Sequence, residues 1–168
     1  MTKRLLLLGC GGIGVALIGA GLVVHPRPRL IWNASVSAPA GLYRVTPGAT
    51  IAVGDMVIAK VPARFRALAA ARHYIPANVP LVKRVAAGVG DQICALGRDL
   101  YRNGIWLADR RTVDGARRPM PAWQGCVRLR QGQYFLLMAA SPLSFDGRYF
   151  GISDRRDIIG KADLLWAR

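Results

Sequence analysis

The sequence has 168 residues and a formal net charge of +15, from 24 lysines and arginines against nine aspartates and no glutamate. This length is enough for one domain of ordinary size. Two isolated histidines, three cysteines without a C-x-x-C pair and the lack of glutamate exclude most metal sites and most general acid–base pairs. We therefore expect neither a metal nor a cofactor.

The positive charge indicates an anionic partner, either lipid headgroups or nucleic acid. The arginines are scattered along the chain except for two pairs, Arg110-Arg111 and Arg117-Arg118. A nucleic-acid site usually concentrates its cations on one face or along one helix. Membrane lipid is therefore the expected partner, and nucleic acid is not.

The first long segment, LLLLGCGGIGVALIGAGLVV at residues 5–24, carries no charged or strongly polar side chain. Within it, Gly9, Gly11 and Gly14 match the G-x-G-x-x-G pattern of a dinucleotide-binding turn. That turn needs an acidic residue about 20 positions later to bind the ribose, whereas the first acidic residue of this chain is Asp55. A membrane-spanning helix needs roughly 20 apolar residues. The segment therefore predicts a transmembrane anchor over residues 1–25.

Two alternatives for this segment are a lipoprotein cleavage box at Leu7-Leu8-Gly9-Cys10 and a cleaved secretory signal. Only four leucines precede Gly9 and Cys10, and the whole apolar run is long for a cleaved signal, so an uncleaved anchor is preferred. Charge barely decides the orientation, but the very short N-terminal tail suits a cytoplasmic start. We predict a single-pass protein of the inner (cytoplasmic) membrane, with residues 26–168 forming an extracytoplasmic domain on the periplasmic side.

Residues 26–168 consist of short apolar runs separated by turn residues. Residues 50–61 predict strands around a Gly54-Asp55 turn, residues 63–74 a short alanine-rich helix, and residues 80–86 another strand. Further along, residues 92–96 predict a strand, Asn103-Gly104 a hairpin turn, residues 133–139 a core strand, and residues 149–168 short segments. Many short strands with one helix indicate a mainly β domain.

Two cysteines, Cys94 and Cys126, lie outside the apolar segment. In an extracytoplasmic domain they could form a disulfide bond. Two buried free thiols are an equally good interpretation, so the sequence leaves both open.

One catalytic system remains after these exclusions, a serine nucleophile with a lysine base. Ser35 and Ser37 stand two residues apart before a Pro39–Gly41 turn region, and a serine needs a neighbouring base to take its proton. Arginine stays protonated in proteins, so the base must be a lysine, and the candidates are Lys60, Lys83 and Lys161. Lys83 is the best placed because it lies within an apolar strand, where burial lowers the pKa of an ammonium group.

Three sequence blocks follow one another along the domain. They are Asn33-x-Ser35-x-Ser37-x-Pro39-x-Gly41-Leu42-Tyr43, then residues 81–91 around Lys83, then Ser144-Phe145-Asp146-Gly147-Arg148-Tyr149-Phe150-Gly151 with Ile159-Gly160-Lys161-Ala162. A weaker fourth match is Gly54-Asp55-x-Val57. Together they cover about residues 33–162 and resemble the bacterial type I signal peptidase family of Ser/Lys proteases. The resemblance is closest to the conjugal-transfer branch, the TraF-type pilin-maturation peptidases.

The resemblance implies a role for six residues. Ser37 matches the nucleophile, Lys83 the general base, and Ser35 a serine whose hydroxyl joins the Ser37 N–H in an oxyanion hole. Ser144 matches a position that orients the lysine, and Asp146 and Arg148 match an ion pair beside the site. In the conjugal branch the aspartate also matters for activity, so Asp146 is either catalytic or structural. The implied fold is a β-rich, partly open barrel with a hydrophobic groove.

Three features depart from the general family pattern. Ala38 is followed at once by Pro39, as in the conjugal branch, and Gly147 stands where a serine is common. The inserted region between Lys83 and Asp146 is also small. These departures disfavour a general signal peptidase and favour a dedicated substrate.

The resemblance therefore implies a membrane-anchored serine endopeptidase that processes an exported precursor. The implied substrate is a pilin-like subunit of a conjugative type IV secretion system, and cyclisation of its product is left open. One alternative is a non-catalytic, membrane-anchored assembly factor of the same apparatus. A cytoplasmic self-cleaving repressor with a similar Ser/Lys core is disfavoured by the apolar segment and by the lack of a DNA-binding domain.

Overall fold

The computed structural model describes residue 19 and residues 28–168, so the predicted anchor at residues 1–25 lies, but for Gly19, outside the described residues. Among the residues that are described, no helix is both long enough and apolar enough to cross a membrane.

Residues 28–168 form short strands with few helices, which confirms the mainly β class. In chain order the elements are β1 (Leu30–Asn33), β2 (Gly41–Thr46), β3 (Met56–Ala59), α1 (Ala63–Ala71), β4 (Leu81–Ala87), β5 (Gln92–Leu96), β6 (Asp99–Arg102), β7 (Ile105–Asp109), β8 (Gly125–Arg128), β9 (Gln133–Leu137), α2 (Gly147–Phe150), β10 (Ser153–Asp154), a 3-10 turn (Arg155–Asp157) and β11 (Ile158–Ala167).

Seven strands form one antiparallel sheet in the order β1-β2-β11-β3-β4-β9-β10. Its register shifts within β11 and within β4 mark bulges, which bend a strand and increase its twist. The sheet therefore curls instead of lying flat. Strand β4 lies next to its middle, between β3 and β9, and carries Lys83.

Four further strands form a second antiparallel sheet in the order β7-β6-β5-β8, inserted in the chain between β4 and β9. The hairpin predicted at Asn103-Gly104 is confirmed and joins β6 to β7. Both turn residues have positive φ angles, 53° and 82°, which the Asn-Gly pair adopts at little cost.

A disulfide bond joins Cys94 on β5 to Cys126 on β8, so of the two interpretations of these cysteines the pairing is the one found. The two residues lie directly opposite each other in the antiparallel register, with a Cα–Cα distance of 4.0 Å. Residues of β8 are exposed along the whole strand, so the strand gains little from burial. The bond links positions 32 residues apart, and loop closure of that length stabilises a fold by about 3–4 kcal/mol.

Three element predictions need correction or refinement. The helix predicted over residues 63–74 is confirmed but ends at Ala71, and His73 has a left-handed φ of 58°. Residues 50–53 are not a strand, because the Asp55 carboxylate accepts the Ala52 N–H at 2.9 Å and closes a turn before β3.

The prediction of only short segments from residue 149 onward is wrong for the C-terminal part. Residues 158–168 contain β11, a ten-residue strand that joins β2 to β3. Gly160 lies within this strand, and a Cβ atom there would lie 2.8 Å from the Thr46 carbonyl oxygen. The glycine therefore allows β11 to approach the end of β2 closely.

Candidate active site

The two serines of the first block lie in the loop of residues 34–40, which connects β1 to β2. The Ser37 Oγ atom lies 2.8 Å from the Lys83 Nζ atom and 2.9 Å from the Ser35 Oγ atom. The Ser37 backbone N–H donates to the Ser35 Oγ at 3.2 Å. The two candidate donors of an oxyanion hole therefore bond to each other in the free protein.

Lys83 projects from the interior of β4, where it is opposite Val57 of β3. Its side chain is buried, with 2% of its surface exposed, between Val82 and the exposed Arg84 in sequence. Besides Ser37, the Nζ atom donates to the Ser144 Oγ at 2.8 Å. The amine is thus held between two hydroxyl groups, one from each of two loops that meet at the same part of the sheet.

Burial is the main cause of a lowered pKa at the Lys83 amine. Loss of solvation lowers the pKa of Lys83 to about 8 from its ordinary value of 10.5. The negative charge of Asp146 raises this pKa and the positive charge of Arg148 lowers it, but both effects are smaller than that of burial. A sizeable fraction of the amine is therefore neutral near physiological pH, and a neutral amine can accept a proton from Ser37.

Asp146 and Arg148 form a buried ion pair, with the Asp146 Oδ2 and the Arg148 Nη1 atoms 3.0 Å apart. Their side chains are 0% and 1% exposed. Burial raises the pKa of Asp146, and the neighbouring charges of Arg148 and Lys83 oppose that rise. Each buried charge is therefore stabilised by the opposite charge of its partner, because an unpaired charge is costly inside a protein.

The ion pair also fixes the backbone that carries Ser144. Asp146 accepts the Met138 N–H at 3.1 Å and the Arg148 N–H at 3.2 Å, and so caps the start of α2. Arg148 donates to the carbonyl oxygens of Ser141 at 2.9 Å, Met138 at 3.1 Å and Ala139 at 3.4 Å. These bonds hold the loop of residues 138–146 in one conformation.

The glycine at position 147, which departs from the general family pattern, has a steric explanation in this chain. A Cβ atom at this position would lie 2.7 Å from the Phe135 ring and 2.8 Å from the Leu136 carbonyl oxygen. A serine would therefore collide with β9, so glycine is required between Asp146 and Arg148.

No role was predicted for one further polar residue beside the nucleophile loop, Asn33. Asn33 is buried at the end of β1, and within the described part of the chain its side-chain amide bonds only to the backbone of the loop that carries Ser35 and Ser37. An Asn that ends a strand just before polar loop residues is typical of an Asx turn, and this sequence pattern could have predicted that Asn33 bonds to the backbone that follows it.

The six predicted site residues are thus brought to one place. Ser35, Ser37, Lys83 and Ser144 form one hydrogen-bonded chain, and Asp146 and Arg148 buttress the Ser144 loop. Of the two other candidate bases, Lys161 instead pairs with Asp55 at 2.7 Å. Lys60 is exposed just after β3. In the part of the chain that is described, no three His, Cys or Asp side chains are grouped so that they could hold a metal ion.

Known proteins that are similar to this chain point to one family. The signal peptidase family, peptidase S26, matches residues 2–167. The plasmid transfer protein TraF of Escherichia coli is 30% identical over 159 residues, which cover 88% of each chain. A signal peptidase I from Enterococcus faecalis V583 has a crystal structure that aligns with a TM-score of 0.40 and 19% identity, over 67% of this chain and 97% of that one. Because the family match spans nearly all of its length, the chain belongs to the signal peptidase family, peptidase S26.

Proposed function

We propose that this protein is a serine endopeptidase in which Ser37 is the nucleophile and Lys83 is the general base. The observation that carries the proposal is the 2.8 Å distance between the Ser37 Oγ and the Nζ of a buried lysine whose pKa is lowered to about 8. A base with a pKa near the working pH takes and returns protons most effectively. The match to a peptidase family supports the same assignment.

In the proposed reaction, the neutral Lys83 amine takes the Ser37 hydroxyl proton as the Oγ atom attacks the scissile carbonyl carbon. The resulting ammonium then gives that proton to the leaving amine, and an acyl-enzyme ester remains on Ser37. A water molecule, deprotonated by Lys83, attacks this ester and releases the new C-terminal carboxyl group. Lys83 finally returns the proton to Ser37.

The negative charge on the carbonyl oxygen needs hydrogen-bond donors in the transition state. We propose the Ser35 hydroxyl and the Ser37 N–H for this role. In the free protein they are bonded to each other at 3.2 Å, so the substrate oxygen takes the place of that contact. Ser144 holds the lysine amine from the other side at 2.8 Å.

We propose that Asp146 holds the backbone near Ser144 through its hydrogen bonds and affects the pKa of Lys83 through its charge. Its hydrogen bonds go to Met138 and Arg148. Its charge raises the pKa of Lys83, which works against the dominant effect of burial.

For the substrate, we propose an exported protein precursor, specifically a pilin-like subunit of a conjugative type IV secretion system. Support comes from the conjugal-branch sequence pattern and from the relative that is named a plasmid transfer protein. The acyl-enzyme has two possible fates, hydrolysis by water and capture by the amino terminus of the same subunit, which would yield a cyclic product.

The test uses the full chain purified in detergent and mixed with candidate pilin precursors, with the products weighed by mass spectrometry. Ser37→Ala is expected to lose processing, because it removes the proposed nucleophile, the hydroxyl of this loop that lies 2.8 Å from the Lys83 amine. Ser141→Ala, in the adjacent loop, is the matched control and should process normally. A product lighter than the linear mature peptide by one water would identify cyclisation. Unchanged processing by Ser37→Ala would refute Ser37 as the nucleophile, whereas no processing by the original protein would favour the non-catalytic assembly factor.

We also propose that the catalytic domain rests on the outer surface of the inner membrane, held by residues 1–25 as the anchor. A row of apolar side chains supports this placement: Trp32 of β1, Leu42 of β2 and Trp166 of β11 are adjacent in register. The two indole rings are 5.7 Å apart, and 47% and 62% of the two residues are exposed. Tryptophan is enriched at membrane–water interfaces.

The surroundings of this row fit a bilayer surface. Trp32 immediately precedes Asn33 and the nucleophile loop, and the described chain enters β1 through Pro28 and Arg29, just after the predicted anchor. A disulfide at Cys94–Cys126 also suits an oxidising, extracytoplasmic compartment. A precursor held in the same membrane would present its cleavage site beside this row.

This placement predicts which tryptophans touch lipid. In vesicles of phosphatidylglycerol and phosphatidylcholine, single-tryptophan variants of the full chain should show strong quenching of Trp32 and Trp166 fluorescence by brominated lipid. Trp106 is the matched control, because it is 58% exposed but lies on β7 of the other sheet. Equal quenching at positions 32 and 106 would contradict the proposed placement.

A further inference from the structure

Asn33 makes more hydrogen bonds to the nucleophile loop than any other described side chain. Its Nδ2 atom donates to the carbonyl oxygens of Ser35 at 3.1 Å, Ala38 at 3.2 Å and Pro39 at 3.0 Å. Its Oδ1 atom accepts the Ser35 N–H at 3.1 Å. All four contacts go to loop backbone on the two sides of Ser37.

The loop needs such a residue because its own backbone forms no ladder. Strand pairing between β1 and β2 ends at Asn33 and Gly41, and residues 34–40 lie beyond it. Backbone carbonyl oxygens that are removed from water without a partner are costly. An asparagine amide can serve both ends of the loop because it carries two N–H donors and an acceptor, with at least one donor here shared between carbonyl oxygens.

One other side chain, that of Tyr43, also bonds to the backbone of this loop. The Tyr43 hydroxyl donates to the Pro39 carbonyl oxygen at 2.8 Å, and Tyr43 is buried. This bond reaches one residue, two positions beyond the nucleophile. The Asn33 amide reaches carbonyl oxygens both before and after Ser37, and it therefore restrains where the Ser37 Oγ can lie.

We infer that Asn33 is a positioning residue that holds the Ser37 Oγ within hydrogen-bond reach of Lys83; the inference rests on the proposed Ser37–Lys83 mechanism. The distance that Asn33 would maintain is the 2.8 Å between the Ser37 Oγ and the Lys83 Nζ atoms. A displacement of about 1 Å at a reacting atom can lower a rate by about a hundredfold. Asn33 touches neither reacting atom and acts only through the loop.

The test measures kcat and KM for precursor cleavage by the full chain in detergent, per folded molecule, for Asn33→Ala and Asn33→Asp. Both changes remove the amide donors, and the nearly isosteric aspartate keeps an acceptor for the Ser35 N–H while placing a carboxylate against three carbonyl oxygens. We expect kcat to fall by about a hundredfold with KM within about threefold of the original. The pH at half-maximal rate should not move in Asn33→Ala, because this change adds no charge and the burial of Lys83 is unchanged.

Tyr43→Phe is the matched control, since it removes one partly buried hydrogen bond from the same loop and should leave kcat within about fivefold of the original. A residue with only a structural role would lower the folded fraction and raise KM without this separate loss of kcat. Should Asn33→Ala fail to fold, Asn33→Asp decides the question.

Two outcomes overturn the inference in distinguishable ways. Normal kcat in the folded Asn33 variants, together with an inactive Ser37→Ala, would refute the role of Asn33 alone. Processing by Ser37→Ala would refute the proposed function and this inference with it.

Discussion

Lys83→Met is expected to abolish precursor processing and to make the folded protein more stable. Processing should fall by at least about 10³-fold, because no other described amine lies at the Ser37 hydroxyl to take its proton. Stability should rise because the lysine is buried at a cost: a pKa lowered from 10.5 to about 8 corresponds to roughly 3 kcal/mol. The lost hydrogen bonds to Ser37 and Ser144 offset part of this gain.

The net gain should be about 1–3 kcal/mol near neutral pH, seen as a Tm higher by roughly 3–9 °C. Its pH dependence has a definite sign. Between pH 8 and 10.5 the unfolded original protein binds more protons at Lys83 than the folded one, so its free energy of unfolding rises with pH in that window. Lys83→Met lacks this contribution, and its advantage should therefore be constant below pH 8 and disappear towards pH 10.5.

Chemical denaturation of both proteins across this pH range checks the stability difference, and the pH dependence of kcat/KM for the original protein checks the base. The rate should rise with pH to a plateau, with half of the maximum near pH 8, because only the neutral amine is active. Lys60→Met, a change at an exposed lysine just after β3, should alter neither measurement. A rate that falls with pH through this range would contradict a lysine base.

Arg148→Met is expected to destabilise the fold by about 3–5 kcal/mol, because it leaves the Asp146 carboxylate buried without its partner. It also removes the donors to the Ser141, Met138 and Ala139 carbonyl oxygens, so the loop carrying Ser144 loosens. Equilibrium unfolding in urea measures the loss. The same loss should be smaller in the double variant with Asp146→Asn, because no buried charge is then left unpaired.

A matched control exists in the same chain. Asp154 and Arg156 have the same sequence spacing, but their side chains are exposed and 3.6 Å apart, so Arg156→Met should change stability by no more than about 0.5 kcal/mol. The penalty of Arg148→Met should also be smaller at acid pH. Burial already raises the pKa of Asp146, and without Arg148 the folded state keeps the proton to higher pH, so stability falls as pH rises above the unfolded value. Equal penalties for the two arginine variants would contradict the importance of the buried pair.

Several parts of the fold could be predicted because local sequence decides them. The Asn103-Gly104 hairpin follows from two residues that accept positive φ angles, and α1 follows from an alanine-rich run after Pro62. The strand around Lys83 follows from its apolar flanks. β11 could not be predicted in this way, because its stability comes from pairing with β2 and β3, which are remote in sequence.

The sequence by itself determined the family and the residue types of the candidate site, because its motifs stand in a fixed order: Ser35 and Ser37, then Lys83, then Ser144, Asp146 and Arg148. Only the tertiary structure decided their distances, since the Lys83 amine meets serines 46 positions before it and 61 positions after it. The tertiary structure also decided the Cys94–Cys126 pairing and the hydrogen bonds of Asn33 to the nucleophile loop. The physical reason is that burial, which sets the pKa of Lys83, and long-range register arise only when the strands pack together.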